Sequence, residues 1–473
     1  MAPSGLILSF PSGLSVQPHS GNASLTLQLG GHSMTLPEVT DGLTIALQLL
    51  TTGVSLQDLG HVVQDQDGVF AKLKLFYLLR KFAHLAWIRY AIVLEGQPFT
   101  TVIPMAKMDF LTPSPSSPQR PVVVSRFAYC HAVGGEMILE SPLCKAQIIL
   151  NDGRSLALIG YLAQPQTVVT LADQMPAVPP SILHLWVDLL CQLQILTEVG
   201  ETAQATEETD PALAQWEFHD LLFHTRSRTG RHTNPTGGTY RFQERFEPLP
   251  FLKSISSGSV IPLPRPDLAL LCRQDLPLSQ VLEARTSIRQ YGKHPIRIEQ
   301  LGEFLYRTAR VKSRFPTDQG ELSHRPYPSA GALYELELYL VIHACTGLEA
   351  GFYHYDPQEH HVSWISDPSP LTQQLLHDAC WATGQPIVPQ VLIIVTARFQ
   401  RLSWKYQSIA YALMLKHVGA LYQTMYLVAT AMHLAPCALG SGHSDLFAEA
   451  AGTNYYAETS IGEFILGSHP HSE

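Results

Sequence analysis

The chain is sparing with charge: 15% of its 473 residues are Asp, Glu, Lys or Arg, against 45% hydrophobic. That balance suits folded domains with cores of their own and argues against general disorder. A basic excess is missing too. With 31 Lys and Arg against 40 Asp and Glu the formal charge is −9, so no positive field exists to steer a nucleic acid. The seven cysteines (Cys130, Cys144, Cys191, Cys272, Cys345, Cys380 and Cys437) include no C-x-x-C pair and are odd in number. Neither a disulfide framework nor a metal site is expected, and a cytoplasmic, reducing setting fits. No Gly-rich strand-to-helix fingerprint is present, which sets aside NAD or FAD on a Rossmann unit. The amino terminus lacks a basic segment followed by an apolar run, so no signal peptide is expected. One apolar stretch, residues 409–439, is as long as a membrane span, but Lys416, His417, Gln423 and His433 interrupt it. A buried core or interface helix is expected there, with no membrane partner.

What is present divides into three parts. Residues 1–111 open with alternating runs such as 25–29, which predict a strand with one buried face. Thr40-Asp41 is placed to cap a helix over 42–51. Leu75, Leu78, Leu79 and Phe82 predict an amphipathic helix, and 87–94 is a β-rich run. Helix, helix, strand is a winged-helix-like order. The Pro/Ser stretch 112–118 reads as a linker. A second module over 122–200 repeats the order, with a hairpin predicted from 147–150 and 156–161 around Asn151-Asp152-Gly153. The stripe Ile182, Leu185, Trp186, Leu189, Leu190 and Leu193 follows as a helix. The acidic stretch 198–210 reads as another linker.

A third domain is expected over 212–473. It starts on a helix near Trp216, in which His219 and His224 are five apart and so make no helical zinc pair. Pro248 to Pro266 is expected to run extended over a partner subunit. Beyond 282, helices alternate with strands predicted at 336–342, 351–355, 362–365, 391–396 and 463–466, an α+β layout.

Three stretches of this domain carry chemistry. Arg285, Thr286, Ser287 and Arg289 put two guanidiniums and two hydroxyls within one helical turn, a set suited to gripping phosphate or to a solvated face. Pro328, Ser329, Ala330 and Gly331 precede a strand, where small side chains let backbone N–H groups approach a flat polar ring. Leu439, Gly440 and Ser441 follow near a turn that would equally serve as a helix C-cap. In this order and spacing the segments resemble the FMN-binding elements of the nitroreductase-like fold. More narrowly they resemble the SagB-type dehydrogenases, which oxidise azoline rings in modified peptides. The resemblance implies an FMN cofactor at the interface of a homodimer. It implies that Arg285, Ser287 and Arg289 hold ribityl chain and phosphate, that 328–331 line the ring, and that 438–442 meet its far side. Thr286 departs from many relatives, which carry a second arginine there.

The same resemblance points to Lys405 and Tyr406 as the catalytic pair. Taken alone, Lys-Tyr at a helix start is an exposed lysine beside a packed tyrosine. Desaturating a thiazoline or oxazoline ring, however, needs a base as well as a hydride acceptor, and an amine serves if burial disfavours its charge. Adjacent helical residues diverge by about 100°, so both reach one substrate only at a helix mouth. Tyr406, His443 or a held water are the other candidate bases. Two winged-helix-like, peptide-recognition modules ahead of the oxidase are similar to the arrangement in cyanobactin azoline oxidases. They imply binding of an azoline-containing precursor peptide, with its leader added as a strand. Two alternatives stand: an NAD(P)H-dependent nitroreductase or quinone reductase, and a non-catalytic scaffold.

Overall fold

The computed structural model describes residues 4–19, 24–113, 116–200, 204–254, 258–318 and 320–471. It divides into two compact units, residues 1–234 and 235–473.

In the first unit one antiparallel sheet runs in the order Val54–Ser55, Gly5–Ser9, Arg89–Leu94, Gln97–Pro104, Ala146–Ile149, Glu136–Glu140, Tyr129–Val133. The two expected amino-terminal modules therefore share a sheet, joined where Gln97–Pro104 pairs with Ala146–Ile149. Helices Asp41–Leu49, Leu56–Asp67 and Ala71–His84 precede the hairpin of Arg89–Leu94 and Gln97–Pro104, which completes the winged-helix order. Leu75, Leu78, Leu79 and Phe82 are buried, as their spacing predicts.

Four local expectations need correction. The helix at 41 is capped by Asp67, whose carboxylate accepts from the N–H groups of Gly42 (3.1 Å) and Leu43 (3.0 Å). A cap from 25 residues away cannot be read locally. Residues 156–161 are helical, not the second arm of a hairpin: Asp152 caps Gly153–Tyr161 by accepting from Arg154 N–H at 2.8 Å. Asx-Gly serves a helix start as well as a tight turn, and burial of Leu158 decides between them. The acidic stretch 198–210, as far as described, folds back as a short helix, Thr206–Thr209. Buried Glu207 accepts there from Ser125 Oγ and Arg126 N–H, each at 2.7 Å. Finally, the helix Phe218–Arg226 belongs to this unit, because Arg226 donates to Glu140 at 2.8 Å, and the boundary falls after Asn234 rather than at 212.

The second unit is built on an antiparallel sheet ordered Val260–Pro262, His361–Ser366, Gly351–Asp356, Leu336–Ile342, Val391–Arg398, Glu458–Ser468, Leu434–Leu439. The two middle strands are buried along their whole length, which is why they read as apolar runs. A buried carboxylate interrupts the first of them: Glu337 is held by Arg398 (3.0 Å), at the end of the second, and by His354 (3.2 Å). Burial pushes its carboxyl up, but these two neighbours outweigh it and bring the pKa down to about 2. The strands expected beyond residue 282 all form. The apolar stretch 409–439 is not one helix: it is the long helix Ala410–Ala431 followed by the edge strand Leu434–Leu439. Among the described residues no helix is long and apolar enough to cross a membrane. The Pro-rich passage also lies on its own unit, with Val260–Pro262 paired to 361–363.

Candidate active site

The helix Phe399–Ser403 gives way at Trp404, and residues 405–409 bend before the long helix begins. A coil segment ties this bend down: the N–H groups of Thr239 and Tyr240 donate to the Lys405 carbonyl at 2.8 and 3.2 Å. Off the helix, neighbouring side chains can converge, and here they do. A Cβ placed on Gly331 would lie 2.8 Å from Lys405 Nζ and 2.8 Å from the Tyr406 hydroxyl oxygen. Gly331 has φ +61°, so its backbone and its close neighbours both call for glycine. The expected catalytic pair and the expected ring-lining glycine therefore meet.

The loop carrying Gly331 is strained and braced. Ala332 (φ +56°) and Tyr334 (φ +45°) share its left-handed backbone, at about 1–3 kcal/mol for each non-glycine residue. Ser329 Oγ accepts from Tyr334 N–H at 3.0 Å and donates to Glu335 at 3.3 Å. The Ala330 N–H donates to His417 Nε2 at 2.8 Å, and His417 Nδ1–H donates to Glu335 Oε1 at 2.6 Å. Glu335 is fully buried and His417 nearly so. The ring is thus fixed as the tautomer protonated on Nδ1. Buried Arg401 adds a second tie by donating to the Leu333 and Leu249 carbonyls. Burial, with the cations Arg398 and Arg325 nearby, presses its pKa down to about 9, so it stays charged at neutral pH. Sequence reasoning missed the roles of Glu335 and His417. The available signal was His417 itself, an imidazole inside a helix expected to be buried, where it must have partners.

The Arg285 stretch is coil, not helix: Leu278–Ala284 ends just before it. The spacing i, i+4 suits a helical face equally well, but Ile288 N–H bonds instead to Pro436 at 2.8 Å and draws the chain out along the edge strand. Tyr426, on the long helix, joins two of the expected cofactor segments. Its hydroxyl lies 2.8 Å from Ser287 Oγ and accepts from Ala438 N–H at 2.8 Å, while the Arg285 guanidinium sits 5.3 Å from its ring centre. Thr286, Arg289, Gly440 and Ser441 are exposed, Leu439 is buried, and Pro328 is exposed above half-buried Ser329 and Ala330. Among the described residues neither Arg285 nor Arg289 has a carboxylate partner. The site residues thus form two clusters on one rod: 328–331 with 405–406 near His417, and 285–288 with 438 near Tyr426. Along the helix axis these anchors are roughly 13 Å apart.

Leu439 and Ser441 also line a cavity of about 310 Å³ with Asp378, His443 and Glu463. Burial pushes the Glu463 carboxyl up to about 7, with the Ser460 hydroxyl opposing. A carboxyl raised from 4.5 favours the protonated native state, so its contribution is complete below about pH 4.5 and lost as pH rises through about 7. The loss amounts to about 3 kcal/mol. Glu463→Gln removes the titration, so urea midpoints should become flatter between pH 5 and 8 and exceed wild type at pH 8. A variant as pH-sensitive as wild type would show that another group carries the effect.

Comparison with known proteins defines the class. Residues 282–467 match the nitroreductase family, so the second unit is a nitroreductase-family domain. Residues 122–233 match the cyanobactin oxidase ThcOx, and residues 2–111 the ThcOx helix-turn-helix domain. The chain thus joins a segment like the ThcOx helix-turn-helix domain, a segment like the cyanobactin oxidase ThcOx and a nitroreductase-family domain, the order that the resemblance implied. A nitroreductase-type protein of Methanocaldococcus jannaschii is 27% identical over 187 residues, 39% of this chain and 86% of that protein. Among solved structures, a nitroreductase-type protein of Anabaena variabilis is 22% identical with a TM-score of 0.37; the match covers 52% of this chain and 45% of that one. A chain of the E. coli microcin synthetase McbBCD complex, with truncated pro-MccB17 bound, is 18% identical with a TM-score of 0.34, covering 54% of this chain and 92% of that one.

Proposed function

We propose that this protein oxidises thiazoline or oxazoline rings of a ribosomally made, heterocyclised peptide to thiazoles or oxazoles, with FMN as cofactor. The observation that carries the reading is the convergence of Lys405 Nζ and the Tyr406 hydroxyl on Gly331. The residues present fit FMN. Two guanidiniums without carboxylate partners and the Ser287 and Thr286 hydroxyls suit its phosphate and ribityl chain. A loop of Pro328, Ser329, Ala330 and Gly331, lacking bulk at its exposed end, suits the flat ring. Leu439, Gly440 and Ser441 close the set. Bound FMN supplies the acceptor for the hydride leaving the azoline. Lys405 takes the ring proton, and Tyr406 orients the ring or passes the proton on. His417 and Glu335 keep the Gly331 loop where both side chains reach it.

The exposed leucines Leu278, Leu282 and Leu415 support a homodimer burying this face, which sedimentation tests. In the first unit, exposed Phe70, Leu73 and Tyr77 support binding of the precursor's leader, tested by comparing leader-bearing with leaderless thiazoline peptides. The nitroreductase-family match also accommodates a reductase of small quinones or nitroaromatics. That reading requires turnover supported by NAD(P)H, and azole formation does not.

Replacing Arg285 and Arg289 together by alanine removes two charge-assisted contacts, each worth about 1.5–3 kcal/mol. The double variant should purify colourless or bleach on dialysis. Full FMN occupancy, read from the flavin absorbance, would show that the phosphate is held elsewhere.

A further inference from the structure

Beside the catalytic bend lies a cavity of about 630 Å³ lined by Phe242, Phe246, Leu249, Trp404, Arg241 and Gln400, among others. Its size and its mainly apolar walls with a few polar groups are those of a small-ligand site. One wall is the residue preceding Lys405. Another wall is the coil segment held beside the bend by two side chains: Trp404 Nε1 donates to the Phe246 carbonyl at 2.7 Å, and Arg401 donates to the Leu249 carbonyl. Tyr240 connects this cavity to the chemistry. Its ring packs edge-on against Trp404 at 5.6 Å and lies 5.6 Å from Lys405 Nζ. An extended peptide advances about 3.3 Å per residue, so a group bound here belongs to a residue close to the reacting ring.

The walls also say what kind of group. Phe242 and Phe246 are 5.9 Å apart and tilted, and each carries a guanidinium, Arg241 at 4.5 Å and Arg245 at 5.4 Å. Phe246 leaves 58% of its surface in water, although it is tied in place by its backbone. Rings stacked with guanidiniums present flat, polarisable faces to a further flat ring. We propose that this cavity receives the aromatic side chain of the residue flanking the azoline, and so sets which rings of a peptide are oxidised. The inference rests on the azoline-oxidase reading for its substrate, while the cavity itself does not.

The test uses the full FMN-loaded chain and two thiazoline peptides differing only in the flanking residue, Phe or Gly. Wild type should prefer the Phe peptide by about 10–100-fold in kcat/KM, mainly through KM, and Phe246→Ala should cut that ratio about tenfold. A ratio of two rates from one preparation is insensitive to lost flavin or partial unfolding. Fluorescence anisotropy of the labelled thiazole products reads the same preference without turnover. Preferential binding without any turnover would sink the oxidase reading and keep the pocket. Turnover with equal kcat/KM for both peptides, or a preference unchanged by Phe246→Ala and Phe242→Ala, overturns the pocket. So would dissociation of a dimer by Phe246→Ala in sedimentation, since a second copy would then be the occupant.

Discussion

Lys405→Ala should retain its FMN and its fold yet lose about 10²–10⁴ of the rate of azole formation, the range that general-base catalysis contributes. The substitution removes the amine that a Gly331 Cβ would meet at 2.8 Å while leaving the backbone carbonyl that holds Thr239 and Tyr240. The proposed flavin contacts lie on other side chains, so spectrum and rate should separate. Tyr406→Phe keeps the ring and deletes only the hydroxyl, and its smaller or equal loss apportions the work between the two. Turnover near wild type in Lys405→Ala with flavin bound would move the base to Tyr406, His443 or a held water.

The second large effect is expected at His417, which touches no substrate. His417→Ala strands the buried Glu335 carboxylate without its imidazole donor and leaves the Ala330 N–H without its acceptor. Orphaning such groups costs about 1–3 kcal/mol each, and a charged acceptor stands at the upper end. For a unit of this size each kcal/mol lowers Tm by about 2–4 °C. The Gly331 loop, with three left-handed residues, then keeps only the ties from Ser329 and Arg401. We therefore expect a lower Tm together with weaker FMN retention. His417→Gln, whose amide can offer both a donor and an acceptor, should recover part of each. A variant with normal Tm and flavin affinity would mean that Ser329 and Arg401 suffice to hold the loop.

Much of this architecture was legible because the second unit's strands are buried and apolar from end to end, and because helix periodicity survives in residues such as Leu75 and Phe82. What escaped the sequence was set from a distance. Asp67 caps a helix that Thr40 seemed placed to start, and a partner strand turned the apolar 434–439 from helix to edge. In the candidate site, residue types announced themselves while their supports did not. Lys405, Tyr406 and Gly331 stood out through resemblance, but Tyr426, His417 and Glu335 act through partners 12, 87 and 82 residues away. Such contacts leave no local pattern.

The most direct measurement is the mass of a thiazoline peptide incubated with the FMN-loaded protein. A loss of two hydrogens per oxidised ring, abolished in the Lys405 variant but not in its flavin spectrum, is the expected result. An unchanged peptide mass with FMN bound, alongside brisk NAD(P)H-supported reduction of a quinone, would contradict the account.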